Sequence, residues 1–149
     1  DIPYADLREA MVDADIFIGV SAPNLVDEDM IRSMKPGSIV FAMANPTPEI
    51  TYEKAKAAGA TIAGTGRSDV PNQINNLLAF PGLFRGLLDA GAVKMQEDIK
   101  IEVSKALAGL VAEEDLSADC VIPSVFDERV VPPIAKAVKE FCERTGNTR

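Results

Sequence analysis

Histidine and tryptophan are absent from the 149 residues. Without histidine, the commonest general base and the commonest transition-metal ligand are both missing, so a Ser/His/Asp or Cys/His nucleophile system would need a second chain to complete it. Cysteine occurs only as Cys120 and Cys142, too few and too far apart for a disulfide framework or a metal knuckle; two reduced thiols in a cytoplasmic protein are expected. Basic stretches are lacking as well. Lys and Arg total 15 against 23 Asp and Glu, a formal charge of -8, which argues against nucleic acid or an anionic membrane as partner. No apolar run reaches the roughly 20 residues a membrane-spanning helix needs, and the amino end has no signal-peptide pattern. The chain opens on Asp1 and not Met, as expected of a fragment or a processed product.

What is present is an ordinary globular composition, 47% hydrophobic and 26% charged, and residues 1–149 are expected to form a single domain. Three compact apolar runs read as strands: 16–20 (Ile-Phe-Ile-Gly-Val), 38–43 (Ser-Ile-Val-Phe-Ala-Met) and 61–64 (Thr-Ile-Ala-Gly). The first two lack polar alternation, the pattern of strands covered on both faces. Helical segments alternate with them at 7–12, at 28–34 after a capping Asp27, and at 52–58 after a capping Thr51, with Gly59 as a stop. This order predicts an α/β fold, a partial Rossmann-type parallel sheet of about three strands with flanking helices and a helical carboxyl-terminal extension. In the extension, Thr65 to Gln73 reads as a loop and Pro81-Gly82 as an interruption. An amphipathic helix is predicted over 96–111, with Ile99, Val103, Ala106, Leu107 and Leu110 on one face. Pro123, Pro132 and Pro133 break up the next stretch, and a closing helix is predicted from about Pro133 to Thr145, ending at Gly146.

In an open parallel sheet, ligands gather beyond the carboxyl ends of the strands. The informative residues are therefore Ser21-Ala22-Pro23-Asn24, Ala44-Asn45-Pro46-Thr47-Pro48 and Thr65-Gly66-Arg67-Ser68-Asp69. The Asn45 amide offers both a donor and an acceptor to a ligand carboxylate or hydroxyl; capping its own turn is an equally good local reading. Four amides in five residues, Asn72, Gln73, Asn75 and Asn76, precede an apolar run, which favours a polar site at a helix amino terminus over a solvated loop. Gly64-Thr65-Gly66 lacks a third glycine and meets Asp69 instead, so it reads as a turn and not as a dinucleotide fingerprint. Arg67 and Arg85 are expected in surface ion pairs with nearby aspartates, and Glu53, Lys54, Lys56, Glu97, Asp98 and Glu102 on solvated helix faces.

Taken together, the strings at 15–23 (DIFIGVSAP), 41–49 (FAMANPTPE), 64–76 (GTGRSDVPNQINN), 79–86 (AFPGLFRG) and 121–130 (VIPSVFDERV) closely resemble the malic enzymes of the short prokaryotic type. The likeness runs through essentially the whole chain in the family's own order. It implies oxidation of (S)-malate by NAD or NADP, decarboxylation of the resulting oxaloacetate assisted by Mg or Mn, and protonation to pyruvate. By the family pattern Asn45 and Asn76 would bind malate, Asn75 would sit beside the nicotinamide carboxamide, and Ser21 and Ala22 would line the cofactor. The family's Tyr and Lys acid/base pair, its acidic metal ligands, its complete glycine-rich fingerprint and its ribose-binding acid are expected upstream of Asp1. No catalytic residue and no metal ligand is therefore assigned within the chain, and Tyr4 and Tyr52 fall outside the matching motif. The resemblance further implies an inactive fragment of an enzyme that is a homodimer when joined to its missing amino-terminal domain.

Two other readings compete. The segment 34–40 (MKPGSIV) also resembles D-2-hydroxyacid dehydrogenases, but those place an Arg/Glu/His set in this half and the chain has no histidine. A non-catalytic Rossmann-like interaction module is the other, since fold alone does not fix function. It would have little reason to place amides at two separate strand or helix mouths.

Overall fold

The computed structural model describes residues 5–149; Tyr4 lies outside them. The chain divides between Ile74 and Asn75 into two compact units, each with its own core.

The first unit alternates helix and strand in the predicted order: α1 (Leu7–Met11), β1 (Ile16–Gly19), α2 (Glu28–Arg32), β2 (Ile39–Ala42), α3 (Tyr52–Ala57) and β3 (Ile62–Thr65). The strands run parallel in the order β1-β2-β3, with Ile16 opposite Ile39 and Ile39 opposite Ile62. Each short helix starts at a side-chain cap that satisfies a free N–H. Asp6 accepts from the Glu9 amide, Asp27 from Met30 and Thr51 from Lys54; such a cap contributes about 1 kcal/mol. Gly59, at φ 106°, closes α3, because a left-handed turn there is open to glycine and costly for other residues.

The core of this unit lies on one side of the sheet, where Phe17, Val40, Ala42 and Ala63 meet Met11, Met30, Ile31 and Ala55 of the helices. The expectation that β1 is covered on both faces is not met. Phe17 and Gly19 are buried, whereas Ile16 is 52% and Ile18 63% exposed, with Val20 beyond them at 77%. The run is apolar on both faces, but the helices of the unit cover only one of them.

After β3 the chain does not stay a free loop. The strand runs one residue past the expected Gly64, to Thr65, and Gln73 returns to bridge Thr65 in parallel, the Ile74 amide donating to the Thr65 carbonyl at 2.8 Å. Gly64 permits this approach: a Cβ there would lie 2.9 Å from the Asn72 carbonyl oxygen.

The second unit holds a single 3-10 turn (Asn76–Leu78), then α4 (Phe80–Asp89), α5 (Ile99–Ala108), a second 3-10 turn (Glu113–Asp115) and α6 (Val131–Arg144). Here α4 corrects the sequence analysis. Pro81 does not interrupt the apolar stretch but occupies the first turn of the helix, where a missing N–H costs nothing. The closing helix starts at Val131, two residues ahead of the expected Pro133, with Pro132 and Pro133 both in its first turn. Gly82 and Gly86 form a flat stripe on α4 against α6: a Cβ at Gly82 would lie 2.6 Å from that of Ile134, and one at Gly86 2.5 Å from the Ala135 carbonyl oxygen. Leu78, Leu83, Ile99, Val103, Ile134 and Val138 fill the core, each such side chain contributing roughly 1.5–3 kcal/mol on burial. Among the described residues no helix is long and apolar enough to cross a membrane.

Candidate functional site

At the carboxyl ends of the three strands of the first unit, the backbone turns outward and the side chains change character. Ser21 and Ala22 follow β1 and are exposed; Asn45 follows β2, is exposed, and joins Pro46 through a cis peptide bond. The Asn45 amide makes no hydrogen bond to the described residues, so it is not consumed in capping its own turn. Instead it lies over Gly66 at the mouth of β3, its Oδ1 3.1 Å from where a Cβ on that glycine would stand. A side chain at position 66 would push the amide aside.

The residue that organises these mouths is Glu49, which the sequence analysis quoted only within a motif. It is fully buried, and among the described residues no cation pairs with it. Its Oε1 accepts from the Ser21 amide at 2.7 Å and from the Ser21 hydroxyl at 3.1 Å, and its Oε2 accepts from the Ala44 amide at 3.1 Å. Backbone bonds flank this contact, the Asn24 amide donating to the Pro48 carbonyl and the Val26 amide to the Glu49 carbonyl, both at 3.0 Å. Gly19 makes room for the carboxylate, since a Cβ there would stand 2.5 Å from the Glu49 Cδ. Burial pushes the Glu49 carboxyl up, but the N–H groups of Ser21 and Ala44 and the Ser21 hydroxyl outweigh it, and the group sits below its ordinary value of 4.5.

A depressed carboxyl contributes stability that is fully present above its ordinary value and is lost as pH falls through the lower, folded-state value. Glu49→Gln should therefore flatten the acid limb of the stability profile. Urea midpoints collected over about pH 3 to 6 would check this, and parallel limbs for the two proteins would refute it.

The four amides of the 72–76 segment separate into two kinds. Asn72 and Gln73 are spent on the fold: Asn72 Nδ2 donates to the Ala63 carbonyl at 2.9 Å, and Gln73 Nε2 to that of Gly66 at 3.3 Å. Asn75 and Asn76 belong to the second unit. Asn75 caps the 3-10 turn, its Oδ1 accepting from the Leu77 amide at 3.0 Å, which leaves Nδ2 for another partner. Asn76 is exposed, and its side chain makes no hydrogen bond to the described residues. Arg67 is paired with Asp69 and Arg85 with Asp89, the surface pairs expected from the sequence.

Neutral, exposed groups at two strand mouths, with the nearby acid buried and the nearby arginine paired, suit an uncharged ring and a hydrogen-bonding substrate better than a pyrophosphate. A family model described as "Malic enzyme, NAD binding domain" matches residues 4–142. The chain belongs to the malic enzyme family. It is 54% identical over 143 residues to the bifunctional malic/malolactic enzyme of Bacillus subtilis, covering 96% of this chain and 35% of that protein. To the NAD-dependent malic enzyme of Geobacillus stearothermophilus it is 48% identical, covering 96% of this chain and 30% of the relative. The crystal structure of the malic enzyme from Pyrococcus horikoshii superposes with a TM-score of 0.86 at 44% identity, over 95% of this chain and 33% of that one. This member of the family thus spans about a third of the length of the relatives it matches.

Proposed function

We propose that this chain is the carboxyl-terminal half of the NAD(P)-binding domain of a malic enzyme, one that oxidises and decarboxylates (S)-malate to pyruvate and CO2 with NAD or NADP. The observation that carries the reading is the pair of strand mouths at Ser21-Ala22 and Asn45, held at a fixed spacing and ending in exposed, uncharged groups, in a chain of this family. When bound, the dinucleotide supplies the hydride acceptor. In this proposal the first unit contributes Asn45 to malate binding and Ser21 and Ala22 to cofactor binding, and the second unit contributes Asn76 to malate binding and Asn75, through its free Nδ2, to the nicotinamide carboxamide. Hydride transfer needs its two carbons close and oriented, and neutral amides achieve this without adding a charge that would oppose the reaction.

Among the described residues, no three His, Cys, Asp or Glu side chains converge on one point. The acid/base groups and metal ligands belong, in this proposal, to the remainder of the enzyme.

The test uses the intact enzyme and the isolated chain side by side. With malate, Mg or Mn and either dinucleotide, the intact enzyme should form reduced nicotinamide and pyruvate in equal amounts, and the chain alone should form neither. Turnover by the isolated chain, or lactate as the product in place of pyruvate, would overturn the reading.

A further inference from the structure

We propose that Glu49 is a positioning residue for the reaction, a buried tether that fixes the distance between the cofactor-bordering loop after β1 and the malate-binding loop after β2. The inference rests on the functional reading above.

The geometry has the features of a tether and not of a cap. One oxygen of the carboxylate holds Ser21, 28 residues away in sequence, through both its amide and its hydroxyl, and the other holds the Ala44 amide next to Asn45. Neither loop bonds elsewhere through these amides. A neutral hydrogen-bonding side chain would need to present two acceptors in opposite directions, which an ionised carboxylate does and an amide does not. The site also excludes a simpler solution: Gly19 leaves room for the carboxylate where any side chain would collide with it.

If Glu49 sets this spacing, Glu49→Gln keeps the volume but turns an NH2 group toward one of the N–H donors and frees one loop. In the intact enzyme, kcat at a temperature where both proteins are folded by circular dichroism should fall about tenfold, because near-attack geometry is lost. Hydrogen exchange at the Ser21 and Ala44 amides should speed up about tenfold, as expected when a charge-assisted bond is lost, while amides of β3 stay unchanged. Faster exchange with unaltered kinetics would overturn the positioning role and leave Glu49 a stabilising residue. Unchanged exchange would overturn the tether itself. Should E49Q fail to fold, Ser21→Ala, at an exposed position, removes only the hydroxyl bond; a two- to fivefold shift in the same two readouts is expected from one lost neutral bond, and no shift in either would overturn the proposal. An intact wild-type enzyme with no malate-dependent turnover would sink the functional reading, while the exchange experiment would still decide whether the tether exists.

Discussion

Asn76→Ala in the intact enzyme should lower kcat/KM for malate by about 10- to 100-fold, the effect of removing one hydrogen bond to a charged or reacting substrate oxygen. Its melting profile should not move, because the Asn76 side chain is exposed and bonds to none of the described residues. Asn75→Ala is the informative neighbour. That change removes the cap on the Leu77 amide, so it should cost about 1 kcal/mol of stability whatever it does to catalysis. Steady-state kinetics run beside a thermal melt separate the two residues. An Asn76→Ala enzyme with wild-type efficiency would remove that residue from the malate site.

The largest effect on stability is expected at Gly86. Valine there would drive its Cβ to 2.5 Å from the Ala135 carbonyl oxygen and 2.6 Å from the Val138 Cβ. In an open helix, replacing glycine gains up to roughly 1 kcal/mol through backbone entropy. Here overpacking opposes that gain, and with a backbone atom and a β-branched side chain as the obstacles it should win, for a net loss of about 2–3 kcal/mol. Urea unfolding of the chain gives the number. Gly91→Ala provides the contrast, since position 91 has φ 59° and nothing within 4 Å of a new Cβ; its loss should stay near 1 kcal/mol and come from the backbone alone. Equal losses at the two positions would mean that the close approach of α4 and α6 is not what Gly86 serves.

These contrasts show where the sequence is readable. Strands of the first unit are legible because a fully apolar run of four or five residues between turn signals has few other fates, and its helices because Asp27, Thr51 and Gly59 mark their ends by chemistry that is local. What fails is non-local. Pro81-Gly82 is read as a break, since a proline in a first turn looks the same in sequence as a proline that ends a helix, and only α6 shows why glycine stands at 82. The open face of β1 is hidden for the same reason: apolar residues on both sides say what a face prefers, not what covers it. Among the proposed site residues, Asn45 and Asn76 can be singled out by type and place. Glu49 cannot be, because its partners lie 28 and 5 residues away; the one signal available is an acid lodged between Pro48 and Ile50 in a stretch otherwise suited to burial. Asn72 and Gln73 mislead in the opposite direction, their amides being taken up by the carbonyls of Ala63 and Gly66.

The uncovered side of β1 has a practical outcome for anyone handling the chain. Ile16, Ile18 and Val20 present contiguous apolar surface in the isolated chain while it is folded, so an environment-sensitive dye such as anilinonaphthalene sulfonate will fluoresce on its native state. For the isolated chain, dye fluorescence at low temperature signals an intact sheet and not a loosened one, so its unfolding is followed by circular dichroism.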